Sequence, residues 1–398
     1  MVWVLCALSV PPGAGLSVLA QFAVAALACA AFSLLLGQAG LLSFGHALYA
    51  GLGSWAAVQL LRAMAEGQIW AGTGLVVLVP LLAGLAAALA AALLGAANAR
   101  RGGTAFAMIS LGLSEAVWFV AQATPAVFGG EGGLSANRVQ GAPFGGVSLG
   151  PEREVVVLLG LYMLGGLALM HRFALSRAGL LLRALRDDPQ RLEFLGVGAP
   201  SLRWLALVIS AFFMGVSGGM AALWTEVFTT ESLHASRSGL LLVFTVLGGV
   251  TVLLGPVLGA ALMAAALVWL PGVSQGWMWL VGLLFVAVVW AQPRGLAGVV
   301  GDGLTAAQQG RHTDFWPALM ARLAAGIVTL SGGLGLLEMG YHLPLADTLG
   351  PQVQLLGVVL RVDRVDSWVG CAVMLVLGGV LWWAMRRPQS EAALVGSP

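Results

Sequence analysis

Few side chains in this sequence could do chemistry, and each stands out because its surroundings are apolar. Glu115 lies about halfway along the apolar stretch 104–125. A carboxylate in a membrane-spanning stretch is costly and is by default a functional hypothesis; a protonated or internally hydrogen-bonded acid is the structural alternative. Thr104 and Ser110 share that stretch, although short hydroxyls in apolar helices often bond back to their own backbone. The segment 37–54, GQAGLLSFGHALYAGLGS, sets Gln38, Ser43 and His46 among five glycines. Glycines lower helix propensity and let backbones approach closely. Irregular backbone at membrane depth is tolerated where it lines a cavity or is buried in protein, and broken helices are used that way at binding sites. The opposing reading is tight packing with the polar groups satisfied by neighbours. His46 alone reads better as a packing histidine than as a proton carrier.

A second kind of chemistry is electrostatic. Six arginines fall between 172 and 203: Arg172, Arg177, Arg183, Arg186, Arg191 and Arg203. A basic loop between two spans is retained in the cytoplasm. Within it, Asp188 suits a helix N-cap, Pro189 the first helical position and Gly196 a left-handed stop. Leu192 and Leu195, three apart, lie on one face of that short helix. Two turns are not stable alone in water. The helix must dock, either on the rest of this chain or on a cytoplasmic partner; a basic loop resting on lipid headgroups is the plainer alternative.

Other chemistries are excluded by what the sequence lacks. It has no H-E-x-x-H and no Cys/His cluster. All nineteen basic residues are arginine, so no lysine is present to complete a Walker A motif. Any ATP hydrolysis belongs to another polypeptide. Cys6, Cys29 and Cys371 lie in apolar segments and read as small core residues, with no metal spacing.

The elements that must position these groups are membrane helices. The 398 residues are 59% hydrophobic and only 9% charged, against roughly 25% charged in soluble domains. Apolar segments are expected at 15–36, in a span ending near Arg62, and at 73–97, 104–125, 154–171, 202–224, 238–252, 256–271 and 276–292, then at 315–337 and 366–385. The fold class expected is an all-α polytopic membrane protein of roughly 9–11 spans. Residues 1–300 form the core, 301–314 a polar cytoplasmic linker, and 315–398 an extension with one or two further spans and an irregular external loop. The N-terminus lacks a basic region, so a cleaved signal peptide is not expected. With 172–203 in the cytoplasm, Arg100, Arg101, Arg294 and the C-terminus fall there too, and 126–153 and 225–237 fall outside. The outer loop FGGEGGLSANR, with Gly129, Gly130, Glu131, Gly132 and Gly133, could receive a soluble partner or simply connect two spans.

Six segments, in this order, resemble one family. They are LLLGQAGLLSFGHALYAGLGSWAA (34–57), RGGTAFAMISLGLSE (101–115), FGGEGGL (128–134), LLRALRDDPQRLEFLGV (181–197), LVISAFFMGVSGGMAALW (207–224) and VLGGVTVLLGPVLGAAL (246–262). Together they resemble the M-type permease subunit of branched-chain amino acid ABC importers. The resemblance implies an ABC permease-like helical bundle in a bacterial inner membrane. It implies two cytoplasmic ATPases carrying ATP and magnesium, with no cofactor on this chain. It also implies a second permease, usually a different chain, and a periplasmic substrate-binding protein that would meet 129–133. The stretch Arg183, Arg186, Asp187, Asp188, Pro189, Arg191, Leu192, Glu193, Leu195, Gly196 then corresponds to the ATPase-coupling loop. Gly196 matches the family's loop glycine, whereas Arg191 and Leu192 replace the small alanines usual five and four positions before it. That departure bears on the detailed contact with the ATPase. Gln38, Ser43, His46, Thr104, Ser110 and Glu115 would line the translocation pathway. Related permeases carry urea, amides or aromatic acids. An ion-coupled secondary transporter centred on Glu115 and a non-transporting scaffold are the other readings. Uptake sensitive to ionophores and indifferent to ATPase loss marks the first; unchanged uptake on deletion marks the second.

Overall fold

A computed structural model describes residues 3, 13–68, 72–141, 148–194, 196–250, 254–273, 277–292, 294–308, 312–343, 352–355 and 358–384. The chain is an all-α, multi-pass membrane protein. Among the described residues seven helices are long and apolar enough to cross a bilayer, with two shorter apolar helices beside them. The residues fall into two compact units, one reaching residue 264 and including 294–297, the other comprising 265–293 and 298 onward.

In the first unit, α1 (Ala14–Ser33) runs on into a π-helical turn, Leu34–Gln38. It is followed by α2 (Ala47–Ala65), α3 (Thr73–Asn98), α4 (Gly103–Ala123) and the short α5 (Pro125–Phe128). Next come α6 (Glu152–Leu175), α7 (Arg177–Asp187), α8 (Pro189–Phe194) and α9 (Ala199–Thr225). The half-length α10 (Ala235–Gly248) is followed by α11 (Leu254–Val273), whose residues from 265 on belong to the second unit.

Helix α9 is the centre, packed on α1, α2 and α3. Its sequence explains this. Gly218 lies so close to α2 that a side chain there would meet the Ala50 carbonyl, the close approach small residues permit between membrane helices. Ser210 and Ser217, seven apart, donate to the carbonyls of Ala31 (2.5 Å) and Val24 (2.9 Å), also seven apart on α1. Two hydroxyls thus pin α1 and α9 in antiparallel register.

Beyond α9 the chain does something its composition hides. Strand β1 (Leu134–Ser135) pairs antiparallel with β2 (Val227–Phe228), so the two segments assigned to the outside by counting arginines do meet. Residues 229–234 then enter the bundle. Thr230 and Leu233 are 3% and 0% exposed, and their turn packs on α2 and α4. The sequence reads 225–237 as an external connection. It dips instead because its polar groups are satisfied inside: Ser114 donates to the Leu233 carbonyl (2.8 Å) and Ser232 to that of Thr229 (2.7 Å). Helix α10 therefore starts within the bundle. Its 14 residues span about 21 Å at 1.5 Å each, short of a hydrocarbon core of about 30 Å.

The second unit contains α12 (Trp277–Ala291), most of α13 (Gly295–Gln308), α14 (His312–His342) and α15 (Val365–Ala384). Helices α14 and α15 pack together, and Met339, Val362 and Cys371 form a small core with Leu336, Leu360 and Trp368. Residues 301–308, expected as linker, finish α13. The expected irregular loop contains a hairpin of β3 (Gln352–Leu355) and β4 (Val358–Arg361), consistent with its valines. Arg361 donates to Asp363 (2.8 Å), which holds the Asp363 carboxyl below the usual carboxylate range.

Candidate functional site

The first helix break is built by α1 and α2. The π turn carries Gln38, and Gly40 follows in the left-handed region (φ 68°), ending the helix. The irregular stretch to His46 is tied to three other helices. Phe44 N–H donates to Ser110 of α4 (3.1 Å), and Ser110 in turn donates to the Ala107 carbonyl (2.7 Å). Ala47 N–H, at the open N-terminus of α2, donates to the buried hydroxyl of Ser238 in α10 (2.8 Å). His46 is fully buried between the rings of Phe32 and Tyr49, with Nε2 2.7 Å from the Ser210 hydroxyl of α9. Since Ser210 gives its proton to Ala31, the network requires His46 to donate from Nε2. That leaves Nδ1 an acceptor with no partner among the described residues. Gln38 Oε1 and Ser43 Oγ are also buried without one there. Left unpaired, each would cost about 1–3 kcal/mol, so each suits a bound water or a polar solute.

A second break lies between α10 and α11. Gly249 (φ 109°) ends α10, residues 251–253 lie outside the described set, and α11 begins at Leu254. The two breaks touch. Ser33 donates to the Val250 carbonyl (3.3 Å), and that carbonyl fills the space a side chain on Gly37 would need. Discontinuous helices brought together at mid-bundle are the usual framework of a transporter site.

Glu115 has a different place. Its Oε1 accepts from Ala235 N–H (3.2 Å), and its Oε2 lies 3.7 Å from His234 Nε2. The carboxylate thus closes the N-terminus of α10, where the helix dipole favours negative charge. Of the expected pathway residues, Gln38, Ser43, His46 and Ser110 come together at the first break. Glu115 caps a neighbouring half-helix, and Thr104 is exposed on the first turn of α4.

The basic loop folds as its sequence dictates. Asp188 Oδ1 accepts from the backbone N–H groups of Gln190 (3.1 Å) and Arg191 (3.2 Å), and Oδ2 sits 3.6 Å from Arg191 Nε. Pro189 opens α8, and Gly196 (φ 79°) closes it. Gly196 N–H donates to Glu193 O (3.0 Å) and Val197 N–H to Leu192 O (3.1 Å), the paired bonds of a Schellman stop. Leu192 is buried while Phe194 is 91% exposed; Leu195 lies outside the described residues. Arg183 donates to Ala174 O at the end of α6 (3.1 Å). Arg186 reaches further: its Nη1 donates to the Gly37 carbonyl of the first break (2.6 Å), and its Nε meets Asp187 (3.1 Å). Its aliphatic stem lies against Gly40, where a Cβ would come within 2.6 Å of Arg186 Cγ.

The glycine-rich loop at 128–138 is held rather than free. Gly129, Gly130 and Gly133 are left-handed, 130–132 make a 3-10 turn, and Glu131 and Gly132 are exposed. Trp55 and Gln59 of α2 both donate to the Val127 carbonyl (3.1 and 3.2 Å). Arg138 anchors the loop's far end. It donates to the carbonyls of Leu149 (2.8 Å), Gly150 (3.1 Å), Leu223 and Trp224 (both 3.4 Å). Its backbone N–H donates to Glu226 (2.9 Å).

The family model for "Branched-chain amino acid transport system / permease component" matches residues 15–289, which takes in both helix breaks and the basic loop. The chain belongs to this family. The permease is 26% identical over 287 residues to the "High-affinity branched-chain amino acid transport system permease protein LivM" of Salmonella typhimurium, and to the same degree to its counterpart in Escherichia coli K12. The match covers 66% of this chain and 65% of each relative, just under two thirds of their length. No solved structure matches.

Sequence reasoning missed Ser210, Ser238, Arg138 and Val250. Only the serines carry a readable signal: Ser210 and Ser217 recur seven apart in an apolar span, the spacing of residues on one packed face.

Proposed function

We propose that this permease is the transmembrane subunit of an ATP-driven importer for branched-chain or related hydrophobic amino acids. It sits in the inner membrane with 172–203 and the C-terminus in the cytoplasm. Two cytoplasmic ATPases hold ATP and magnesium, a second permease of different sequence completes the pore, and a periplasmic binding protein docks near 129–133. Substrate passes the paired breaks around Gln38, Ser43, His46 and Ser110.

The observation that carries this reading is the hydrogen bond from Arg186 to the Gly37 carbonyl. It ties the helix just before α8 to the first break, so displacement of the loop by an ATPase pulls on the backbone of the path. Helix α8 presents the exposed Phe194 and, through Asp188 and Gly196, holds a fixed shape for docking. Alternating access then follows from rigid movement of α7 and α8.

The test is uptake of labelled leucine into proteoliposomes containing the complex and its binding protein. Uptake that requires ATP and stops when 187–196 is scrambled is expected. Uptake that persists without ATP and follows an ion gradient would overturn the proposal.

A further inference from the structure

We propose that a cleft between the ends of α2 and α9 and the β1–β2 ribbon binds the free α-amino-acid zwitterion, with Arg62 facing its carboxylate and Glu226 its ammonium group. This rests on the import reading, which places the cleft on the outer side of the membrane.

The cleft has a volume of about 570 Å³, within the range of roughly 300–1,000 Å³ usual for small-molecule sites. Its walls combine Arg62 of α2 and Glu66 just after it, Ser135 and Asn137 of the outer loop, and Glu226 and Val227 after α9. Charges of both signs thus face one concavity. Arg62 makes no ion pair or hydrogen bond through its guanidinium among the described residues, although Glu66 lies one helical turn away on the same cleft. Glu66 is engaged by Gln68 (2.7 Å). A guanidinium is a fork that suits a carboxylate.

Glu226 is the second observation. It occupies the left-handed region (φ 57°), a conformation that a non-glycine residue rarely holds unless its surroundings impose it. Glu226 ends α9, its N–H donating to the Ala222 carbonyl (2.8 Å). Arg138 fixes the carboxylate from behind: the Arg138 backbone N–H donates to Glu226 Oε1, and Arg138 Nε lies 3.8 Å from the same atom. The second oxygen, Oε2, has no partner among the described residues, and the side chain is 36% exposed. A carboxylate fixed on one oxygen and open on the other suits an ammonium group. Val227, 39% exposed, supplies apolar surface beside it. The cleft abuts α2, whose opposite end opens at His46, so a solute held there stands at the head of the helix that leads to the first break.

The test uses the purified full chain with its co-purifying subunits, without binding protein. Binding of L-leucine, leucinamide and N-acetyl-leucine is measured by calorimetry or saturation-transfer NMR. Leucine binding should weaken at least tenfold in both Arg62→Gln and Glu226→Gln. Leucinamide, which lacks the carboxylate, should be indifferent to the change at Arg62. N-acetyl-leucine, which lacks the ammonium, should be indifferent to that at Glu226. The glutamine at 226 keeps the acceptor for Arg138 N–H, and unchanged thermal stability checks the fold. If wild type binds no leucine, or both variants bind all three compounds as wild type does, the assignment is overturned. ATP-driven leucine uptake by the wild-type complex is measured in parallel. Uptake with no cleft binding sinks this site alone; absence of uptake sinks the import reading.

Discussion

Replacing Arg186 with alanine removes the donor to the Gly37 carbonyl, which lies in the last turn of a helix where the backbone has no further helical donors. A hydrogen bond from a charged donor contributes about 1.5–3 kcal/mol. The Arg186 side chain is 39% exposed, so solvent screening brings this to ~1–2 kcal/mol. If the bond transmits loop movement to the break, that energy appears as lost coupling, roughly a five- to thirtyfold shift in the equilibrium between linked and unlinked loop. The assay is leucine uptake and substrate-stimulated ATP hydrolysis on the same proteoliposomes. Uptake per ATP should fall in Arg186→Ala and only partly recover in Arg186→Lys, whose point charge can reach the carbonyl without also holding Asp187. Gly40→Ala should behave alike, since a left-handed alanine costs about 1–2 kcal/mol and its methyl displaces the arginine stem. Unchanged uptake per ATP in both Arg186→Ala and Gly40→Ala would refute the idea that this contact carries motion.

Three further outcomes are expected. Ser210→Ala leaves His46 Nε2 and the Ala31 carbonyl without their partner, so thermal unfolding in detergent should show a loss of about 1–3 kcal/mol; an unshifted melting curve contradicts the hydrogen-bond assignment. Arg138→Ala removes donors from four carbonyls and the pairing with Glu226, and proteolysis of 126–150 in right-side-out vesicles should quicken at least tenfold. Gly196→Val and Asp188→Ala should cost the α8 motif about 1–2 and ~1 kcal/mol respectively. Both proteins should remain in the membrane, with binding-protein-stimulated ATPase sharply reduced; normal stimulation in both would remove the coupling role from α8.

What the sequence reveals here is what local rules decide. Asp188, Pro189 and Gly196 specify α8 by capping chemistry alone, and the structure forms that helix with its hydrogen bonds where expected. Gly37 and Gly40 point to a break because they lower helix propensity beside Gln38 in so apolar a stretch. The arginine count puts 126–153 and 225–237 on one face, and β1 and β2 then pair across them. What stayed hidden depends on partners distant in the chain. The dip of 229–234 reads as an exposed connection because Thr229, Thr230, Glu231 and Ser232 are polar. Thr230 and Leu233 are nevertheless buried, with Ser114 donating to the Leu233 carbonyl and Gly51 leaving room for the Leu233 side chain. Glu115 reads as a pathway acid, and its bond from Ala235 N–H, distant in the chain, has no local signature. No local pattern foretells that Arg186, one of six arginines in its loop, is the one that reaches Gly37.

The proposed work of this permease with a cytoplasmic ATPase through the loop at 187–196 is tested by gentle detergent extraction of the tagged chain, followed by mass spectrometry of what co-purifies. A Walker A-bearing ATPase and a second permease are expected with the wild-type protein. Scrambling 187–196 should lose the ATPase and retain the second permease. Recovery of the chain alone, or of an ATPase that the scrambled loop still holds, would contradict it.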